Sequence, residues 1–195
     1  MKITKLLMLT VLVAIATTVI SQNTYAQRRR GNNRVVVVKR PNHRVVVRKA
    51  HVRYGALPRW GATFAVRPSN AVLIGNRGNG YYHSNGIFYR QQNNNYIVVR
   101  PARGIRLRVL PIGFRTIKIG PRNYYYYYGT YYAKTPTEYV VVNAPTGAVV
   151  DALPDGYEVK TVDGNEYYFL DGVYYAEVDA DEFDDKIGYE VVEFK

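Results

Sequence analysis

The chain has 195 residues, with 27 Lys and Arg against 15 Asp and Glu, 20 tyrosines and no cysteine. The missing thiol excludes disulfides, thiolate metal sites, a cysteine nucleophile and lipid attachment at a cleavage-site cysteine. Charge is segregated: Gln27 to Arg122 carries 21 Lys and Arg and no Asp or Glu, while Asn123 to Lys195 carries 4 against 15, a dipole that suits polyanion contact at one end and docking or head-to-tail association between the ends.

The first residues have the profile of a signal peptide over 1–26. Lys2 and Lys5 precede an apolar run from Leu6 to Ile20 that only Thr10, Thr17 and Thr18 interrupt, and Thr24-Tyr25-Ala26 supplies small residues at the two positions read for cleavage before Gln27. The run falls short of the roughly 20 apolar residues of a comfortable span, and no later segment has that character, so the mature chain is expected to lack a transmembrane segment. Export to the periplasm or the outer envelope is the expectation.

From Arg28 to Tyr54 the chain carries ten Lys and Arg around Val35 to Val38 and Val45 to Val47. Such charge density with short apolar runs reads as a flexible basic arm over 27–54 rather than a hairpin. Arg28, Arg29, Arg30, Lys39, Arg40, Arg48 and Lys49 are its candidate contacts to an anionic polymer.

After the arm the sequence repeats with a period of 43. Tyr81-Tyr82, Gly86 and Tyr89 recur as Tyr124-Tyr125, Gly129 and Tyr132, and again as Tyr167-Tyr168, Gly172 and Tyr175; Leu110-Pro111 and Gly113 recur as Leu153-Pro154 and Gly156. A fixed period of this size marks tandem units. Cutting at the Leu-Pro pairs, with Leu57-Pro58 and Gly61 as a degenerate first opening, gives units over 55–100, 101–143 and 144–195. In the third copy the expected tyrosine arrives seven residues late, as Tyr189, behind an acidic insertion.

Each unit reads as short strands rich in Val, Tyr and Phe. In the third they are Ala148 to Leu153, Tyr157 to Val162, Glu166 to Phe169, Val173 to Val178 and Tyr189 to Phe194. Asn85-Gly86 and Asp171-Gly172 between tyrosine-rich runs are hairpin signals, because a type I′ turn needs positive φ at both central residues; Tyr128-Gly129 is a weaker version. No capped helical spacing occurs. The predicted class is all-β: three tandem small units, each an SH3-like barrel or a meander, leaning on one another because units this small bury little core alone.

The Leu57-Pro58 to Gly61 opening, the Tyr81-Tyr82 to Tyr89 hairpin, the Leu110-Pro111-Gly113 turn and the Tyr167 to Tyr175 hairpin together resemble a family of tyrosine-rich exported proteins of unknown function found in Bacteroidetes-type bacteria. The resemblance covers roughly Tyr54 to Phe194. It implies export and a β-repeat body, and it assigns no catalytic residue.

Raw material for catalysis is poor. The histidines are His43, His51 and His83, two of them in the arm and one beside a turn, and no nucleophile elbow, zinc helix or phosphate loop is present. The expectation is a noncatalytic protein without cofactor. The acidic insertion places Asp179, Asp181, Asp184 and Asp185 close together as a weak calcium candidate, since calcium takes 6 to 8 oxygens. In the run Tyr124 to Tyr128, strand alternation puts Tyr124, Tyr126 and Tyr128 on one face, which if exposed suits stacking on sugars or bases.

These features favour a structural or binding protein of the envelope that contacts an anionic polymer such as lipopolysaccharide or an acidic glycan. The alternatives are an SH3-like peptide or cell-wall binding module, contact with extracellular nucleic acid, an unidentified protein partner, and self-association.

Overall fold

Tyr, Val, Ile and Phe suit a pleated surface packed on both sides, and two-residue turns between them return the chain on itself. The computed structural model describes residues 52–75 and 80–194. The leader, the arm residues Arg28, Arg29, Arg30, Lys39, Arg40, Arg48 and Lys49, and His43 and His51 lie outside the described residues.

Three five-stranded antiparallel sheets follow one another. The first holds β1 (Thr63–Phe64), β2 (Val72–Ile74), β3 (Tyr81–Ser84), β4 (Ile87–Gln92) and β5 (Asn95–Val98); the second holds β6 (Arg106–Leu107), β7 (Arg115–Ile119), β8 (Arg122–Tyr127), β9 (Thr130–Lys134) and β10 (Tyr139–Val142). The third holds β11 (Val149–Val150), β12 (Glu158–Val162), β13 (Asn165–Leu170), β14 (Val173–Asp179) and β15 (Ile187–Val192). Strands two to five of each sheet form a meander, and the first strand adds to the free edge of the fifth. The one helical element among the described residues is a 3-10 turn, Val52–Tyr54.

The 43-residue period is a period of hydrogen bonds and dihedral angles. The Gly61, Gly104 and Gly147 amides donate to the Val98, Val141 and Val191 carbonyls at 3.0, 2.9 and 2.8 Å. Both central residues of the three hairpins have positive φ: Asn85 and Gly86 at 50° and 82°, Tyr128 and Gly129 at 47° and 75°, Asp171 and Gly172 at 47° and 84°.

Pro111-Gly113 and Pro154-Gly156 have their first-unit counterpart in Pro68 and Asn70, whose φ is 61° beside 87° and 109° for the two glycines. Leu57-Pro58 is therefore not the first unit's version of that turn.

Alternation gives every sheet two faces. One carries the edge-to-face pairs Tyr82–Tyr96, Tyr125–Tyr139 and Tyr168–Tyr189, at 5.2, 5.2 and 5.1 Å. The other carries the tilted pairs His83–Phe88, Tyr126–Tyr131 and Phe169–Tyr174, at 4.6, 4.9 and 4.7 Å.

The sheets stack so that the second face of one meets the first face of the next. Tyr81 and Phe88 of the first sheet share a core cluster with Leu107, Leu110, Tyr132 and Val141 of the second unit. Tyr126 and Tyr131 share another with Val150, Leu153, Tyr175 and Val191 of the third. At that second junction the Tyr126 hydroxyl donates to the Ala152 carbonyl at 2.8 Å, and the Tyr131 and Tyr175 hydroxyls stand 3.5 Å apart. Each unit thereby gains from its neighbour the apolar cover that fewer than about 60 residues cannot provide.

A lead segment, residues 53–60, ties the three units. The Arg53 guanidinium donates to both Asp151 oxygens, at 2.7 and 2.5 Å, and Arg115 donates to the same carboxylate at 2.8 Å. Tyr128, a bulky side chain at positive φ, is held there by its surroundings: its amide donates to the Tyr54 hydroxyl, its own hydroxyl donates to the Pro58 carbonyl, and Trp60 stacks 5.4 Å away. The Trp60 amide donates to the Asp155 carbonyl at 2.7 Å. Gly156 must lack a side chain, because a Cβ there would lie 2.7 Å from the Trp60 carbonyl oxygen.

Candidate functional site

The sheet stack leaves part of the second sheet's second face uncovered. Register aligns Tyr124, Ala133 and Val140 across β8, β9 and β10, one step along from the Tyr126–Tyr131 row that the third unit covers. Ala133, between two larger side chains, lowers the surface there. With Val142 and the linker residues Asn143, Ala144 and Pro145 these residues line an open groove of about 770 Å³.

Three cations, Arg103, Arg122 and Lys134, line the groove, and no carboxylate does. Arg103 stands in the loop before β6; the Gly120-Pro121 turn delivers Arg122 to the start of β8, and Lys134 closes β9. All three are exposed, and among the described residues none forms an ion pair. Lys134 stands 5.9 Å from the Tyr139 ring, which register puts on the opposite face from Tyr124, Ala133 and Val140, so it borders the groove without lying over its floor. An unpaired cation set over an apolar and aromatic floor attracts anionic groups through long-range charge and holds a planar ring by contact.

Of the three tyrosines that share this face as binding candidates, Tyr124 alone lines the groove. Tyr126 and Tyr128 are 0 % and 2 % exposed, because the next unit covers one and the lead segment the other. The alternation is as expected, but both faces are covered: Tyr125 and Tyr127 pack against the other core cluster.

The acidic insertion gathers no metal site. No group of three or more His, Asp or Glu side chains among the described residues is placed to hold an ion. Asp179, Asp181, Asp184 and Asp185 are each exposed, and the Asp185 carboxylate instead accepts the Ile187 amide at 3.2 Å, a local turn bond. His83 packs on Phe88, and burial lowers its pKa, so it serves the junction between the first two units.

Arg103, Arg122 and Lys134 were not singled out by the sequence. They fall in different strands and loops amid a generally basic segment, and their convergence is a product of sheet register.

Stacked antiparallel repeats with ring-lined faces place the molecule among all-β tandem-repeat proteins. The chain belongs to a family of unknown function (DUF6515), whose model matches residues 16–195. No curated protein and no solved structure matches it.

Proposed function

We propose that this is an exported, noncatalytic binding protein of the cell envelope whose groove on the second sheet takes an anionic polymer, such as lipopolysaccharide or an acidic glycan. The observation that carries this reading is the set Arg103, Arg122 and Lys134 around Tyr124 with no carboxylate in the lining. An open groove accepts a strand that continues past it in both directions, where a closed cavity would select a small molecule. The signal-peptide profile of residues 1–26 supports export, and the basic arm adds diffuse attraction to the same ligand class. A peptide or cell-wall module of SH3-like form has only the size of the units in its favour.

The test is retention of the full chain on immobilised lipopolysaccharide and on a polyuronate, with neutral dextran and duplex DNA as comparisons. Retention on the two acidic polysaccharides should fall steeply with salt. Replacing both Arg103 and Arg122 with Ala should weaken it about tenfold, the equivalent of roughly 1.4 kcal/mol. A variant with Arg28, Arg29 and Arg30 changed to Ser separates the arm's share. Equal retention of the groove variant, or tighter binding to DNA than to either polysaccharide, would overturn the assignment.

A further inference from the structure

We infer that the two ends of the sheet stack are the halves of one further junction, so that a second copy of this chain docks head to tail, third unit onto first. The inner junctions show what a joined pair looks like. On the receiving side, Leu107 and Leu110 of the second unit are each 6 % exposed, and Val150 and Leu153 of the third are each 1 % exposed. Their counterparts in the first unit, 43 residues earlier, are Phe64, which is 37 % exposed, and Arg67, which is also exposed. Among the described residues no preceding unit covers them, while Ile87, Tyr89 and Val98 on the same face are buried in a cluster against which Leu57 and Trp60 of the lead segment pack.

On the donating side, Phe88 of the first unit and Tyr126 and Tyr131 of the second are 1 %, 0 % and 1 % exposed. Their counterparts in the third unit, Phe169 and Tyr174, keep the same ring-pair geometry at 4.7 Å yet remain only half-buried, as His83 does at the first junction, while Tyr167 and Val192 beside them are 4 % and 7 % exposed. Phe194 lies 4.9 Å from Tyr174 but is itself 38 % exposed: one ring stands where the other junctions have a sheet.

Charge agrees with this pairing. The receiving unit carries Arg59 and Arg67 exposed and has no carboxylate, whereas the third unit is net acidic, exposing Asp163 and, on the donating face, Glu158 paired with Lys160 at 3.4 Å. Arg67 replaces the leucine of the inner junctions with a cation, complementary to the net negative charge of the third unit; the Phe169 ring itself already carries Lys160 at 3.5 Å. Because donor and acceptor are different surfaces, the contact is heterologous and open-ended, and it builds chains of molecules rather than closed dimers.

Sedimentation velocity of the full chain at low and high salt tests this. The wild type should grow past dimer mass with concentration at low salt and dissociate at high salt. Phe64→Glu (receiving side) and Tyr174→Lys (donating side), each shown by circular dichroism to be folded, should each weaken association at least tenfold. Mixed in equal amounts, they should form a dimer that grows no further, because one intact donor meets one intact acceptor. The groove variant with Arg103 and Arg122 changed to Ala should assemble as the wild type does, so failure of the polymer reading leaves this result standing. A wild type that stays monomeric throughout, a closed dimer, or a mixture that stays monomeric would overturn it.

Discussion

Raising the pH above about 10 should unfold this protein cooperatively, with a burst of tyrosinate absorbance at the transition. Burial raises the pKa of Tyr54, Tyr126, Tyr131, Tyr132 and Tyr175 above the ordinary 10.0, chiefly by desolvating the phenolate. In the unfolded chain these phenols ionise near 10. Above that pH the unfolded state has released protons that the folded state still binds, so stability is whole below the unfolded value and falls as pH rises. Each such phenol costs about 1.4 kcal/mol per pH unit in this range. Five together cost about 7 kcal/mol per unit, comparable with the roughly 5–15 kcal/mol that holds a typical domain. Loss of the β signal and appearance of tyrosinate should therefore coincide in one sharp step. A gradual titration centred on the ordinary phenol value, with the fold intact, would mean that the rings are not buried as described.

Truncating Tyr126 should be among the most damaging single changes. The side chain is fully enclosed, packs against Tyr131 at 4.9 Å and donates to the Ala152 carbonyl. Tyr126→Ala removes the ring, leaves a cavity at the junction of the second and third sheets and strands a buried acceptor, for a loss of about 3–5 kcal/mol. Tyr126→Phe keeps the ring and loses only the hydrogen bond, about 1–2 kcal/mol. The matching position of the third unit is Phe169, half-buried on the uncovered face. Phe169→Ala should cost nearer 1 kcal/mol in the isolated molecule. Urea denaturation of the three variants measures the difference. Equal losses at Tyr126 and Phe169 would show that the two positions share one environment and that no stack exists.

Repetition made the strands readable from the sequence, because a hairpin pair such as Asp171-Gly172 states its own geometry and the period carries it to Asn85-Gly86. Tyr128-Gly129 was harder. Nothing local favours tyrosine at positive φ, and the position is held by Tyr54 and Trp60 from 74 and 68 residues away, so the cause is tertiary. The same limit applied to Leu57-Pro58, whose likeness to Leu110-Pro111 is one of composition; the true counterpart, Pro68 with Asn70, shares the backbone angle without sharing the leucine. In the groove, Tyr124 was anticipated through strand alternation. Arg103, Arg122 and Lys134 were not, since a basic segment offers many cations and only register selects three. Tyr126 and Tyr128 share a face with Tyr124 yet are covered, because alternation assigns residues to a face and is silent on what covers that face.

The claim beneath all of this is that the three sheets form one interlocked stack, and the single tryptophan makes it testable. Trp60 belongs to the lead segment of the first unit yet packs against Gly129 of the second and Gly156 of the third. Equilibrium urea unfolding of the full chain, followed at once by Trp60 fluorescence and by far-ultraviolet circular dichroism, should give superimposable single transitions. A tryptophan transition completed while much of the β signal persists would show units that unfold one by one, and would contradict the account.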